Sequence, residues 1–67
     1  MKTIREMREE KGITQGTMAK RLDVSRPTYI KFENNPSAMS MGTAKRVCEL
    51  LDCTIDDIFF AVEVKTN

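Results

Sequence analysis

Apolar residues recur along the chain at the spacing of short amphipathic helices. In residues 41–51 they fall three or four positions apart, on one face of a helix. Shorter segments with similar spacing lie on either side, and each follows a Ser or Thr residue that can cap a helix. The pattern predicts an all-α fold, a bundle of five helices at residues 4–11, 15–22, 26–34, 41–51 and 55–59. The fourth helix is expected to face the core with Met41, Ala44, Val47, Cys48 and Leu51.

Two of the five predicted helices have an acidic partner for the cap. Glu6 stands three residues after Thr3, the spacing of a capping box, and Asp57 follows Thr54 in the same way. Asp57 and its neighbour Asp56 are therefore interpreted as charges at a helix N-terminus rather than as metal ligands. The caps of the other three helices are Thr14, Ser25 and Ser40.

The last eight residues, 60–67, change the period of the pattern. Phe60, Val62 and Val64 alternate with more polar positions, which is typical of a strand. A lone strand has no partner inside a helical domain, so we expect it to pair with a second copy of the chain. The alternative is a frayed terminus. We divide the chain into a helical domain, 1–59, and a C-terminal extension, 60–67.

Length and charge narrow the class of protein. A chain of 67 residues forms one domain, and a domain this small is only marginally stable without a partner subunit. No apolar segment approaches the roughly 20 residues that span a bilayer, and we expect a cytoplasmic location. Residues 1–48 hold ten of the eleven basic residues but only half of the acidic ones. This asymmetry favours a polyanionic partner on one side, although two ordinary solvated faces would look the same.

Candidate catalytic chemistry is sparse. The chain has no histidine, and the two cysteines, Cys48 and Cys53, cannot fill a tetrahedral zinc site alone. We interpret both thiols as small core or half-buried residues, with a disulfide or redox role as the less favoured alternative. Because there is also no glycine-rich phosphate loop and no nucleophile–base set, we expect no enzyme activity, no cofactor and no metal.

The second and third predicted helices are joined by a very short turn. Ala19 is small where the two helices must cross, and Val24, Tyr29 and Phe32 are expected to point inward and fix the third helix. The outer side of that helix then projects from the body, in a form that fits the major groove of DNA. Its outward residues are Arg26, Pro27, Thr28, Ile30 and Lys31.

Residues 3–59 resemble helix-turn-helix regulators of the phage-repressor type, the Cro/xenobiotic-response-element family. The residues that carry the resemblance are Ile4 to Gln15, Met18, Ala19, Leu22, Val24 to Arg26, Glu33, Asn34, Leu50, Leu51 and Asp56 to Phe59. The resemblance implies a lambda-repressor-like domain that binds double-stranded DNA with its third helix in the major groove.

The resemblance also implies roles for single residues. Gln15 matches a residue that bonds a backbone phosphate, and Asn34 matches one that touches phosphate at the end of the third helix. Arg8 and Glu33 match a salt bridge between the first and third helices. The base-facing positions are matched by Arg26, Pro27, Thr28 and Lys31. Ile30 lies near the same surface, and its contact is left open between sugar, a partner and nothing.

The chain departs from the family after the third helix. Asn35 and Pro36 stand where a glycine and a basic loop are usual, and no Lys or Arg occurs between Asn34 and Lys45. Phosphate contacts are therefore expected to be weaker there, or moved to Ser37, Ser40 or Thr43. Pro27 is also unusual for the family, because its side chain cannot form a hydrogen bond. It can only shape the start of the helix or contact a methyl group of the DNA.

The functional expectation is a dimeric, sequence-specific regulator of transcription, most simply a repressor, that reads a pseudo-palindromic operator. A second hypothesis is an antitoxin-like interaction module that keeps the fold but binds a protein partner. The basic residues of the third helix favour DNA, and the low net charge of +1 leaves room for the protein partner.

Overall fold

A computed structural model of the chain describes residues 2–59, and all regular structure within that range is helical. The predicted strand and its pairing with a second copy lie outside these residues. The all-α prediction is confirmed, the second, third and fourth helices have the predicted bounds, and the fifth begins at residue 55 as predicted. The helices are α1 (Ile4–Glu10), α2 (Gln15–Leu22), α3 (Arg26–Asn34), α4 (Met41–Leu51) and α5 (residues 55–59), with a short 3-10 turn at Pro36–Ala38.

The first helix ends one residue earlier than predicted. Lys11 is its C-cap, and Gly12 follows with φ of 70°. This left-handed backbone terminates the helix and turns the chain towards α2, and glycine adopts it at little cost. The difference from the prediction is confined to that one capping residue.

Two other helices end on left-handed aspartates. Asp23 after α2 has φ of 59°, and Asp52 after α4 has φ of 55°. An L-residue in this conformation costs roughly 1–2 kcal/mol, although Asp tolerates it better than most residues do. Each carboxylate also lies at the negative end of its helix, where a negative charge is unfavourable.

The core forms where α2, α3, α4 and α5 meet. Its most deeply buried side chains are Met18, Tyr29, Ala44, Val47 and Ile58, each at 0 % exposure. Tyr29 of α3 faces this core, so the helix is anchored on its inner side and its other side is left outside. Ile4 of α1, buried at 2 %, joins the first helix to the same core.

One core prediction needs correction. Met41 is 59 % exposed because it is the first residue of α4, where that end of the helix lies beyond the core. Met39, just before α4, is buried instead. Val24 and Phe32 pack against the core as predicted, and both are half-buried at its edge. Ala19 and Tyr29 are buried as predicted.

The cysteines lie where the sequence predicts them. Cys48 is buried in α4 and Cys53 is half-buried just after it, and both are free thiols. Burial raises the pKa of both thiols, that of Cys53 to about 12. Both therefore stay protonated at neutral pH and are poor nucleophiles.

Within residues 2–59, no helix is long and apolar enough to cross a bilayer.

Candidate nucleic-acid interface

The two helices of the central motif are joined by three residues, and local hydrogen bonds fix the joint. Asp23 turns the chain, the Val24 backbone N–H donates to the carbonyl of Ala19 at 3.0 Å, and Ser25 caps α3. Pro27 lies in the first turn of α3, where its missing N–H leaves no helical hydrogen bond unmade. The start of α3 is therefore held in a defined direction relative to α2.

The outer face of α3 carries the predicted base-reading residues together. Arg26, Pro27 and Lys31 are exposed, whereas Thr28 is half-buried. Pro27 and Lys31 are four residues apart and Thr28 and Lys31 are three apart, so these positions adjoin on the helix surface. Ile30 is half-buried on the same helix. The arrangement presents a rigid ridge with two cations, a small hydroxyl and an apolar ring.

A buried salt bridge ties α3 to α1, as the resemblance implies. Arg8 Nε lies 2.5 Å from Glu33 Oε2, and the two side chains are only 8 % and 4 % exposed. Arg8 Nη1 also donates to the carbonyl of Ile13 at 2.7 Å, just before α2 begins. This pair therefore holds three segments together: α1, the connection to α2 and the end of α3.

Gln15 joins the same cluster, a contact that the sequence pattern did not predict. Its Nε2 donates to Glu33 Oε1 at 3.2 Å. The two residues are eighteen positions apart, and nothing in the local sequence of either one signals the contact. Gln15 is half-buried at the first position of α2, so one side of its amide faces Glu33 and the rest lies near the surface.

Neighbouring groups determine the pKa values, and so the protonation states, of the residues in this cluster. Burial alone would raise the pKa of Glu33, but hydrogen bonds from Arg8 and Gln15 outweigh it and hold that pKa below its ordinary value. Burial likewise opposes the charge of Arg8, and the bond to Glu33 outweighs it, so the pKa of Arg8 is raised. The pKa of the adjacent Tyr29 hydroxyl is raised by burial and by the Glu33 charge. Glu33 is therefore an ionised acceptor at neutral pH.

The helix N-termini fall into two groups. In α1 and α5 the third residue is an acid that bonds back to the cap: Glu6 to the N–H of Thr3 at 2.8 Å, and Asp57 to the N–H of Thr54 at 2.9 Å. We call these the acid-capped helices. In α2, α3 and α4 the third residue is a threonine, and we call these the hydroxyl-capped helices. Their cap-to-threonine pairs are Thr14–Thr17, Ser25–Thr28 and Ser40–Thr43.

The hydroxyl-capped helices share one hydrogen-bond arrangement. In each, the cap oxygen accepts from the backbone N–H of the threonine and donates to its hydroxyl oxygen, at 2.9–3.2 Å. The threonine hydroxyl therefore keeps its own hydrogen for another acceptor. None of these three helices has an acid in its first turn. Their positive ends thus remain uncompensated by any negative side chain of that turn.

The basic side chains also fall into two groups, one with ion pairs and one without. Those of the N-terminal segment are all paired: Lys2 with Glu10, Arg5 with Glu9 and Arg8 with Glu33. Within residues 2–59, the basic residues that make no ion pair lie between the end of α1 and the middle of α4, and all are exposed. They are Lys11, Lys20, Arg21, Arg26, Lys31, Lys45 and Arg46.

The loop after α3 has no cation, and its polar groups bond locally. Asn34 is exposed at the last position of α3, as expected of a residue that touches an outside partner. Asn35 leaves the helical conformation, with φ of −144° and ψ of 81°, and its side chain accepts from Ser37 at 2.7 Å. The hydroxyl hydrogen of Ser37 is therefore already used, and that of Ser40 is used within the cap of α4. Of the three predicted substitute phosphate contacts, Thr43 keeps a donor hydrogen.

A cleft of about 490 Å³ lies away from these residues, between α1 and the end of α4. Met7, Glu10, Leu51 and Cys53 are among its lining residues, and none of the six predicted DNA-binding residues belongs to it. Across residues 2–59, no group of three or more His, Cys, Asp or Glu residues is arranged to hold a metal ion.

Comparison with protein families matches residues 4–58 to the model of a helix-turn-helix domain. The match begins at the first residue of α1 and ends within α5, so it contains α1 to α4 and most of the described part of α5. Comparisons with curated proteins and with solved structures give no match.

Proposed function

Because the chain belongs to the helix-turn-helix family of the phage-repressor type, a family of DNA-binding regulators, we propose that it is a sequence-specific transcriptional repressor. In this proposal it binds double-stranded DNA as a homodimer, with α3 in the major groove of each half-site. It acts by binding alone, without catalysing a reaction. In this proposal it is located in the cytoplasm, where it meets its DNA partner. The observation that carries the proposal is the outer face of α3, which is rigidly mounted, basic and unpaired.

Base recognition is assigned to the first turns of α3. Arg26 is long enough to donate to both O6 and N7 of a guanine, the commonest specific contact in the major groove. Pro27 presents only an apolar ring, which suits the methyl group of a thymine. Thr28 and Lys31 lie on the adjoining surface and supply further donors. These assignments rest on the exposure of Arg26, Pro27 and Lys31, on the partial exposure of Thr28, and on the match of all four to the family's base-facing positions.

Phosphate binding is assigned to the N-termini of α2 and α4, the two hydroxyl-capped helices that are not assigned to bases. A helix N-terminus without an acid attracts anions through its unpaired N–H groups and its dipole. Gln15 at the start of α2 and Asn34 at the end of α3 add side-chain contacts. The unpaired cations of residues 11–46 supply the long-range attraction to DNA.

A dimer follows from the amount of DNA that one domain reads. One recognition helix covers about half of an operator, and a two-fold dimer places two such helices about 34–36 Å apart, one turn of DNA. We propose that the extension 60–67 supplies the pairing strand. Truncation after Phe59, followed by sedimentation, tests this part. A truncated protein that stays dimeric and binds its operator unchanged would move the interface elsewhere.

Selection from random duplexes tests the proposal as a whole. The wild-type protein should enrich a pseudo-palindrome and bind it about 10³-fold more tightly than scrambled DNA at the same salt concentration. Binding should also weaken steeply as salt is raised. Failure to enrich any sequence would instead favour the antitoxin-like module, which pull-down of a protein partner would then identify.

A further inference from the structure

The contact between Gln15 and Glu33 links the two halves of the proposed interface. Gln15 opens α2, the helix assigned to phosphate, and Glu33 lies at the end of α3, the helix assigned to bases. Gln15 Nε2 donates to Glu33 Oε1 at 3.2 Å, while the other carboxylate oxygen accepts from Arg8. Each oxygen of Glu33 thus has its own donor.

The chemistry of Glu33 fixes which way the Gln15 amide points. An ionised carboxylate accepts hydrogen bonds and donates none, so the amide must turn its NH₂ group towards Glu33. One hydrogen of Nε2 is then used, and the second remains available as a donor. An amide turned the other way would present its carbonyl oxygen to an approaching phosphate, and two acceptors do not bond.

Arg8 neutralises the carboxylate charge that would otherwise disfavour this arrangement near DNA. A bare carboxylate beside a DNA phosphate would repel it, but Glu33 is neutralised by a guanidinium at 2.5 Å. The pair is also nearly buried, with side chains 8 % and 4 % exposed, so its geometry is held firmly. The cluster therefore presents one N–H donor of Gln15 to a phosphate, and the Arg8–Glu33 pair that holds it is neutral and firmly fixed.

We propose that Glu33 is a positioning residue that holds the Gln15 amide ready to donate to a DNA phosphate. This inference rests on the proposed function and makes it more specific, because the α1–α3 salt bridge and the α2 phosphate contact become one coupled unit. Holding the side chain in its bound orientation removes the cost of immobilising it when DNA binds. Gln15 should then contribute fully only while Glu33 holds it.

A double-mutant cycle in DNA affinity tests the coupling. Glu33→Asp keeps a carboxylate for Arg8 but is one methylene shorter, so it cannot hold both donors. On the selected duplex, Gln15→Ala should weaken wild-type binding about tenfold, and by less than about twofold in the Glu33→Asp background, where the amide is already free. Arg26→Ala is the matched control and should cost the same factor in both backgrounds. An equal loss from Gln15→Ala in both backgrounds would overturn the inference and leave the proposed function intact.

A measurement on the wild-type protein covers the case in which Glu33→Asp does not fold. The chain has a single glutamine, so its side-chain NH₂ signals are readily assigned by NMR. We expect an ordered side chain whose amide proton shifts differ from random-coil values in the free protein, and one of the two protons should shift further when the duplex is added. Random-coil shifts and a freely rotating side chain would overturn the inference, and a protein that binds no selected duplex would overturn the proposed function with it.

Discussion

The acid-capped and hydroxyl-capped helices begin with the same local structure but differ in one residue. All five use a Ser or Thr oxygen to accept the N–H three positions later. The third residue is an acid in α1 and α5 and a threonine in α2, α3 and α4. A cap of either kind satisfies the helix, so folding alone does not require the difference.

The difference shows which helix ends are compensated within the protein. Glu6 and Asp57 neutralise the positive ends of their own helices. The hydroxyl-capped helices leave that charge available, and the unpaired cations lie between the end of α1 and the middle of α4. Under the proposed function, the hydroxyl-capped helix ends face an outside anion, and the acid-capped ends belong to the scaffold.

Breaking the scaffold should have the largest effect. Glu33→Ala leaves the Arg8 guanidinium buried without its partner and should cost about 3–5 kcal/mol of unfolding free energy. Denaturant unfolding of the purified protein measures this. Glu9→Ala removes the exposed ion pair with Arg5, 69 % and 53 % exposed, and should cost no more than about 1 kcal/mol. Equal losses in the two variants would show that burial of the α1–α3 pair does not matter.

Removing a base contact should change affinity rather than stability. Arg26→Ala should weaken binding to the selected duplex by about 1–3 kcal/mol and relax the preference at one base position. Arg5→Ala, on acid-capped α1, is the control and should leave DNA affinity unchanged. If Arg26→Ala weakened selected and scrambled DNA alike, Arg26 would be reassigned to phosphate.

Exchanging the third residues should separate folding from binding. Thr43→Glu completes a capping box with Ser40 and should stabilise the fold by about 0.3–1 kcal/mol. It should also weaken DNA binding by a similar amount, because the new carboxylate occupies the helix end assigned to phosphate. The reverse exchange, Glu6→Thr in α1, should lower stability and leave affinity alone. A Thr43→Glu variant with unchanged affinity would remove α4 from the interface.

The smallest effect concerns the turn between α2 and α3. Asp23→Gly relieves the left-handed backbone and removes a negative charge from the end of α2, for a net gain of about 0.5 kcal/mol in stability. DNA affinity should not change. Gly12→Ala is the opposite test: an added Cβ meets no atom within 4 Å, so only the φ of 70° opposes it, and stability should fall. A loss of stability in Asp23→Gly would show that the aspartate side chain supports the turn.

Local signals in the sequence account for what could be predicted. The caps and the apolar spacing determine the helix bounds because each acts within four residues, and the motif follows from the short turn. Met41 was misassigned because the helical period continues past the point where the core ends. The contact of Gln15 with Glu33 depends on how α2 and α3 pack, which no local pattern encodes. The division of the basic residues into those with and those without an ion pair also depends on the fold, so no local pattern predicts it.

Backbone NMR during titration with the selected duplex tests the central claim most directly. The amides in the first turns of α2, α3 and α4, at residues 15–17, 26–28 and 41–43 apart from Pro27, should shift as DNA is added, since their N–H groups face phosphate or bases. The amides of residues 4–6 and 55–57, in the acid-capped helices, should stay in place. Shifts centred on α1 and α5, with the hydroxyl-capped helices unchanged, would contradict the account.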